Sequence, residues 1–193
     1  MFGQSAFFTA SQVAQLWQAD VANTRRRLRK LTHAGLIERT WIIAQPPPED
    51  LEVPLCSWRI EEPLPDAGRV SWAARRRYGR LPMKNMAAYV ATANTRAWFG
   101  QTAPPAWKAH QASHDLAVSQ LYLVYALRWP RVARLWQGED LLAPDRGFQE
   151  MVEDALIVRD RPLLGLEVGA YRADRFRARF HSFAARAIPF RCY

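Results

Sequence analysis

The stretch VANTRRRLRKLTHAGLIERTWIIA, residues 21–44, decides the fold. Val21, Thr24, Leu28 and Leu31 are spaced 3, 4 and 3 apart, so on a helix they share one face and pack inward. Asn23, Arg25, Arg26, Arg27, Arg29 and Lys30 fill the other faces. The spacing predicts a helix from Val21 to about His33, ended by Gly35 in a left-handed conformation. Leu36 and Ile37 lead into a β-like run over Thr40–Ala44. After the loop Gln45–Leu51, a second run over Val53–Ile60 is expected to close a hairpin with the first. Upstream, Thr9 is an N-cap for a helix reaching Leu16, and Gln12 can complete its capping box. Val13, Leu16 and Trp17 give that helix an apolar face, and Gln18-Ala19-Asp20 is short enough to be the turn between the two helices.

The phrase RRRLRKLTHAGLIERT, residues 25–40, resembles the third helix and wing entry of bacterial winged-helix regulators. The resemblance implies a winged helix-turn-helix over residues 1–60 that lays the basic helix in a DNA major groove. Asn23 and either Arg26 or Arg27 then lie where base edges are read, Arg29 and Lys30 meet phosphates, and Arg25 is a further DNA-binding candidate on the same helix. The alternative is a solvated basic helix in the same fold serving as a protein–protein adaptor.

Composition agrees with a polyanionic partner. The 193 residues are 49% apolar and 12% aromatic, which suits a packed core, and the net charge is +9. Nucleic acid is the first such partner, anionic membrane is its rival, and plain solubility is the third reading. Of the 27 basic residues only Lys30, Lys84 and Lys108 are lysines, a bias that genome composition explains as readily as phosphate recognition. Cys56 and Cys192 form neither a metal-like cluster nor a disulfide framework, so a reducing cytoplasm is expected. The N-terminal MFGQSAFF lacks the basic region of a secretory signal. The apolar stretch Leu116–Trp129 is interrupted by Ser119, Gln120 and Arg128 and falls short of the ~20 residues that span a bilayer. The expectation is a soluble cytoplasmic protein with no membrane partner.

Residues 61–111 read as a basic, aromatic connector. The turn-rich EEPLPDAG precedes Arg75, Arg76, Arg77, Arg80 and Lys84, set among Trp72, Tyr78, Tyr89 and Trp98. Arg75, Arg76 and Arg77 are candidates for DNA-backbone contact. His110 and His114 are four apart and could present two imidazoles to zinc, but Gln111 stands where a metalloprotease has its glutamate. A helix cap with Asp115 as hydrogen-bond partner is the competing reading, and His33 and His181 stand alone.

From residue 112 to 193 the expected order is a helix (His114–Leu127), strands near Val132–Trp136, Met151–Val158 and Leu163–Val168, a helix (Ala173–Ala187) and a strand (Ile188–Cys192). This order resembles the αβββαβ core of the restriction-endonuclease-like, PD-(D/E)XK, superfamily. Cleavage in such a site needs carboxylates from neighbouring strands to hold Mg²⁺ or Mn²⁺. Asp154 and Glu167, with 12 residues between them, resemble the acidic pair, and Glu139 or Asp140 could add a carboxylate. Two positions depart from the pattern: Glu153 stands where the motif has proline and Gly169 where it has lysine, and no lysine follows Lys108. A degenerate nuclease-like domain is the leading expectation, with an active metal-dependent endonuclease and a coincidence of acidic residues as alternatives. Arg172, Arg175, Arg177 and Arg179 alternate with Phe176, Phe180 and Phe183, as a second phosphate-contacting face or the solvated side of an amphipathic helix.

Taken whole, the chain resembles the replication-relaxation family of plasmids and integrative elements. The residues carrying this are SHDLAVSQLYL (113–123), VEDALIV (152–158) and LLGLEVGAYRADRFRARFHSF (163–183). The resemblance implies an α+β chain with an N-terminal winged helix-turn-helix followed by an αβββαβ nuclease-like domain. It further implies a double-stranded DNA partner and a role in mobile-element replication, transfer or regulation. A third class is an assembly subunit of a larger nucleoprotein complex, since eight tryptophans suit buried protein interfaces.

Overall fold

Thr9 begins the first helix as its sequence requires: its hydroxyl accepts from the Gln12 N–H and the Gln12 side chain returns to the Thr9 N–H, at 2.9 Å. The structure is a computed structural model and describes residues 7–79, 81–98, 111–139, 142 and 154–193. The fold is mixed α+β. Two compact units share the chain, each built from two separate segments: Met1–Pro47 with Pro82–Arg128, and Pro48–Leu81 with Trp129–Tyr193.

The first unit contains β1 (Phe8–Thr9), α1 (Ala10–Trp17), α2 (Val21–His33) and β2 (Ile37–Ala44). Asp20 caps α2, and Gly35, at φ +69°, closes it. The Gly35 N–H bonds to the Thr32 carbonyl and the Leu36 N–H to the Leu31 carbonyl, the paired bonds that satisfy a helix C-terminus. The second segment of this unit supplies further elements, beginning with a long strand, Lys84–Ala91, whose label in chain order is β4. It lies between β1 and β2, antiparallel to both. Thr24 and Leu28 of α2 are fully buried, with Leu28 packed among Phe8, Val13, Ile37 and Tyr89. The other sheet face packs Ile42, Ala44 and Ala88 against Ala112 and Leu116 of a long helix, Ala112–Arg128 (α5), which also touches α1. The Gln12 amide donates to the Leu116 carbonyl at 2.9 Å, and the Ser119 hydroxyl to that of Phe7 at 2.8 Å.

The second unit holds β3 (Cys56–Trp58), α3 (Ala67–Tyr78), α6 (Pro130–Ala133), β5 (Trp136–Gly138), β6 (Ala155–Val158), β7 (Pro162–Glu167), α7 (Ala173–Ala185) and β8 (Phe190–Cys192). The short α4 (Ala93–Ala97) follows β4 in the first unit. The five-stranded sheet runs β3-β8-β7-β6-β5, with β7 and β8 parallel and every other pair antiparallel. Phe176, Phe180 and Phe183 of α7 and Ala67, Val70 and Ala74 of α3 pack on Leu156, Phe190 and Trp58. Gly165 permits that closeness: a Cβ there would sit 2.1 Å from the Phe183 ring.

Four expectations change. The partner of β2 is not Val53–Ile60 but β4, in register from Ile37 with Ala91 to Ala44 with Lys84. Pro46, Pro47 and Pro48 fix φ and lack N–H donors, so the chain leaves β2 extended instead of reversing. Trp58 instead stacks on Phe190, centroids 5.5 Å apart, and β3 joins the second sheet. The division into residues 1–60, 61–111 and 112–193 is therefore replaced by the two interleaved units, and the connector supplies α3 to one and β4 to the other. The helix expected to open the αβββαβ order, α5, packs in the first unit. Finally, Pro130 starts a helical turn, where its missing N–H costs nothing, so the strand expected from Val132 begins at Trp136. No helix among the described residues is long and apolar enough to cross a membrane.

Candidate functional site

On α2 the buried stripe leaves Arg25, Arg26, Arg27, Arg29 and Lys30 exposed. Asp20 does more than cap. Its carboxylate accepts from the Asn23 backbone N–H at 2.7 Å and from the Asn23 side-chain amide, and the Asn23 side-chain oxygen Oδ1 accepts from the Arg26 guanidinium. The Asn23 N–H holds the Asp20 carboxyl below its usual range. Asp20, Asn23 and Arg26 thus form a chain along one helix face that fixes the direction of Arg26. The Arg27 guanidinium lies 5.9 Å from the centre of the Trp17 ring.

The sheet extends this surface with residues the sequence reading passed over. Ile37, Arg39, Trp41 and Ile43 alternate onto one face of β2, and Ile37 packs with Leu28 of α2. Beyond Ile37 that face is uncovered: Trp41 is 59% exposed and Ile43 66%. Arg39 stacks over Trp41 at 4.7 Å. The alternation in RTWIIA was a readable signal, but only the true partner strand tells which face is left open.

The second unit gathers the acidic residues. Ala155 pairs with Leu166, so Asp154 and Glu167 are the next residues facing each other across β6 and β7. Gly138 pairs with Ala155, which places Glu139 one step further along the same row. Their environments differ. Glu139 is exposed, whereas Asp154 and Glu167 are buried on the sheet face that α7 covers. Arg179 belongs to the buried stripe of α7 with Phe176, Phe180 and Phe183, and its Nη1 lies 3.3 Å from Glu167 Oε1. Asp154 Oδ2 accepts from the Val168 N–H at 2.6 Å, and both its oxygens face the Tyr171 hydroxyl at 3.4 Å. Burial, reinforced by Asp154 and Glu167, pushes the Tyr171 phenol well up, so it stays a donor.

This set fits a divalent cation poorly. Mg²⁺ and Mn²⁺ need open oxygen ligands and keep several waters, but here a permanent guanidinium supplies the counter-charge inside a packed core. Among the described residues no group of three or more His, Cys, Asp or Glu side chains is placed to hold a metal.

The remaining candidates divide. Arg75 and Arg76 are exposed on the last turn of α3, with Arg76 stacked over Trp72 at 4.7 Å. Arg77 is turned inward and bonds Asp50 at 3.1 Å, so it holds the unit together and is not presented outward. Arg172, at the N-cap of α7, and Arg175 and Arg177 on the helix are exposed, Arg175 lying 4.4 Å over the Tyr171 ring. His114 and Asp115 are half-buried at the start of α5. His110, Arg80, Asp140 and Glu153 lie outside the described residues. Compared with known proteins, the chain matches no family model, no curated protein and no solved structure.

Proposed function

We propose that this protein binds double-stranded DNA with its first unit, which acts as a winged helix-turn-helix: α2 enters the major groove, and the open end of the β2–β4 pair contacts the flanking backbone. The observation that carries this reading is the division of α2 into a buried stripe, Thr24 and Leu28, and an exposed face of five basic residues. A helix seated in this way keeps its orientation while its charges meet phosphates and base edges. Arg26, fixed through Asn23 and Asp20, is the best-ordered candidate for a base contact. Arg25, Arg27, Arg29 and Lys30 supply backbone attraction.

The second unit, on this reading, is a nuclease-like sheet whose acidic pair has become structural. The Arg179 ion pair and the Val168 hydrogen bond on Asp154 support that assignment over catalysis. A role in replication, transfer or regulation of a mobile element rests on the sequence resemblance alone. The test is equilibrium binding of the full chain to labelled duplexes, alongside supercoiled plasmid incubated with Mg²⁺ or Mn²⁺. Tight, salt-sensitive binding with intact plasmid is expected. Nicking that disappears in Asp154→Ala would make the second unit an enzyme.

A further inference from the structure

Cys56 and Cys192 are the chain's two cysteines, and 135 residues separate them in sequence. The fold nevertheless makes them direct partners in the antiparallel register of β3 and β8, both as free thiols. Facing residues on antiparallel strands have Cα atoms about 4.5–5.5 Å apart. That lies within the about 4.4–6.8 Å a disulfide spans. Both side chains point to the same sheet face, and the two sulfur groups already share a hydrogen bond. Access to them is unequal. Cys192 is fully buried in the aromatic core, while Cys56, on the three-residue edge strand, is half-buried.

We propose that Cys56 and Cys192 form a reversible redox pair that closes into an intramolecular disulfide when hydrogen peroxide oxidises the protein. The Cys56 thiolate attacks one peroxide oxygen, the O–O bond breaks, and the departing hydroxide takes a proton to leave as water. The Cys192 sulfur then attacks the Cys56 sulfenic sulfur, and the S–O bond breaks. The Cys192 thiol proton leaves with that hydroxide as a second water. Two thiols are oxidised to one disulfide, and one hydrogen peroxide is reduced. The hydrogen bond from Cys192 holds the Cys56 thiol below its ordinary value, and burial pushes Cys192 up, which matches Cys56 as the first sulfur to react.

The bond would join β3, carried by the segment Pro48–Leu81, to the C-terminal strand, two parts of one unit that packing, the sheet and hydrogen bonds from Ser71 to the Tyr171 carbonyl and from Tyr78 to the Tyr193 carbonyl already hold. A cross-link closing so long a loop restricts the unfolded chain strongly. A bond made and broken by thiol exchange suits a switch in a reducing compartment better than a permanent staple.

The test treats the reduced full chain with hydrogen peroxide, then denatures it in iodoacetamide and measures intact mass. The proposal expects a loss of two hydrogens and no alkylation. The protein should stay monomeric on a non-reducing gel, dithiothreitol should restore both thiols, and the oxidised form should melt several degrees higher. Cys56→Ser under the same treatment should leave Cys192 fully alkylated. The proposal is overturned if Cys56 proceeds to sulfinic acid while Cys192 remains alkylatable, or if the only disulfide joins two copies.

Discussion

Arg179 and Glu167, twelve residues apart in sequence, meet as a buried ion pair with Nη1 3.3 Å from Oε1 and almost no exposure on either side chain. The pair ties α7 to the end of β7 at the row that also holds Asp154. Removing one partner leaves the other charge stranded in the core, which costs far more than the pair is worth. Arg179→Ala should therefore lower stability by about 3–5 kcal/mol, read from denaturant unfolding. Replacing both partners, Glu167→Gln with Arg179→Met, should recover most of that loss. A double variant as unstable as the single one would contradict a simple pairing role.

Gly165 lies opposite Leu156 in β7, directly beneath the Phe183 ring. Phe183 is fully buried and has no room to retreat. Gly165→Ala should destabilise the protein by roughly 1–3 kcal/mol through overpacking. Gly35→Ala is a different case, since open space surrounds that site and only its positive φ resists. Thermal melts of the two variants separate crowding from backbone strain.

Asp20 and Asp66 cap α2 and α3, and backbone N–H groups hold both carboxyls below their usual range, with Asn23 the main donor for Asp20 and Arg69 for Asp66. A lowered folded-state pKa gives stability that is fully present above the unfolded value, about 3.9, and is lost as pH falls through the lower folded value. Asn at either position keeps an acceptor for the cap but cannot titrate. Asp20→Asn with Asp66→Asn should therefore melt with a shallower acid dependence below about pH 4 than the parent. Identical acid profiles would show that the caps contribute nothing through charge.

Trp41 projects from β2 with Arg39 stacked on it and little protein beneath. Trp41→Ala should leave the melting temperature nearly unchanged, because little buried surface is lost. If the open face of β2 contacts DNA, the same variant should weaken duplex binding. Lost stability with unaltered binding would place Trp41 in the core economy of the unit instead.

Local signals were the legible ones. The Thr9–Gln12 capping box, the bounds of α2 and the role of Gly35 depend on residues within one or two turns, and each stands as read. The acidic strand pair was legible too, because a hairpin joins neighbouring stretches of chain. Partner choice over long distances was not. β2 alternates as well with Val53–Ile60 as with Lys84–Ala91 on paper, and the proline triplet and the Trp58–Phe190 stack decide between them. The same limit hid Arg77, whose partner Asp50 is 27 residues away. It also hid Arg179, which looked like one more exposed arginine until its place in the phenylalanine stripe of α7 was fixed.

DNA binding through α2 is tested most directly by the salt dependence of duplex affinity in the parent and in Arg26→Ala with Arg27→Ala. Each phosphate neutralised contributes a slope of about −0.9 in log K against log salt. The parent should lose affinity steeply between about 50 and 200 mM salt, and the double variant should bind more weakly, with a slope shallower by about 1 from the lost Arg27 phosphate contact and weaker discrimination between duplex sequences from the lost Arg26 base contact. Equal slopes and equal affinities for the two proteins, or parent binding indifferent to salt, would contradict a DNA-reading α2.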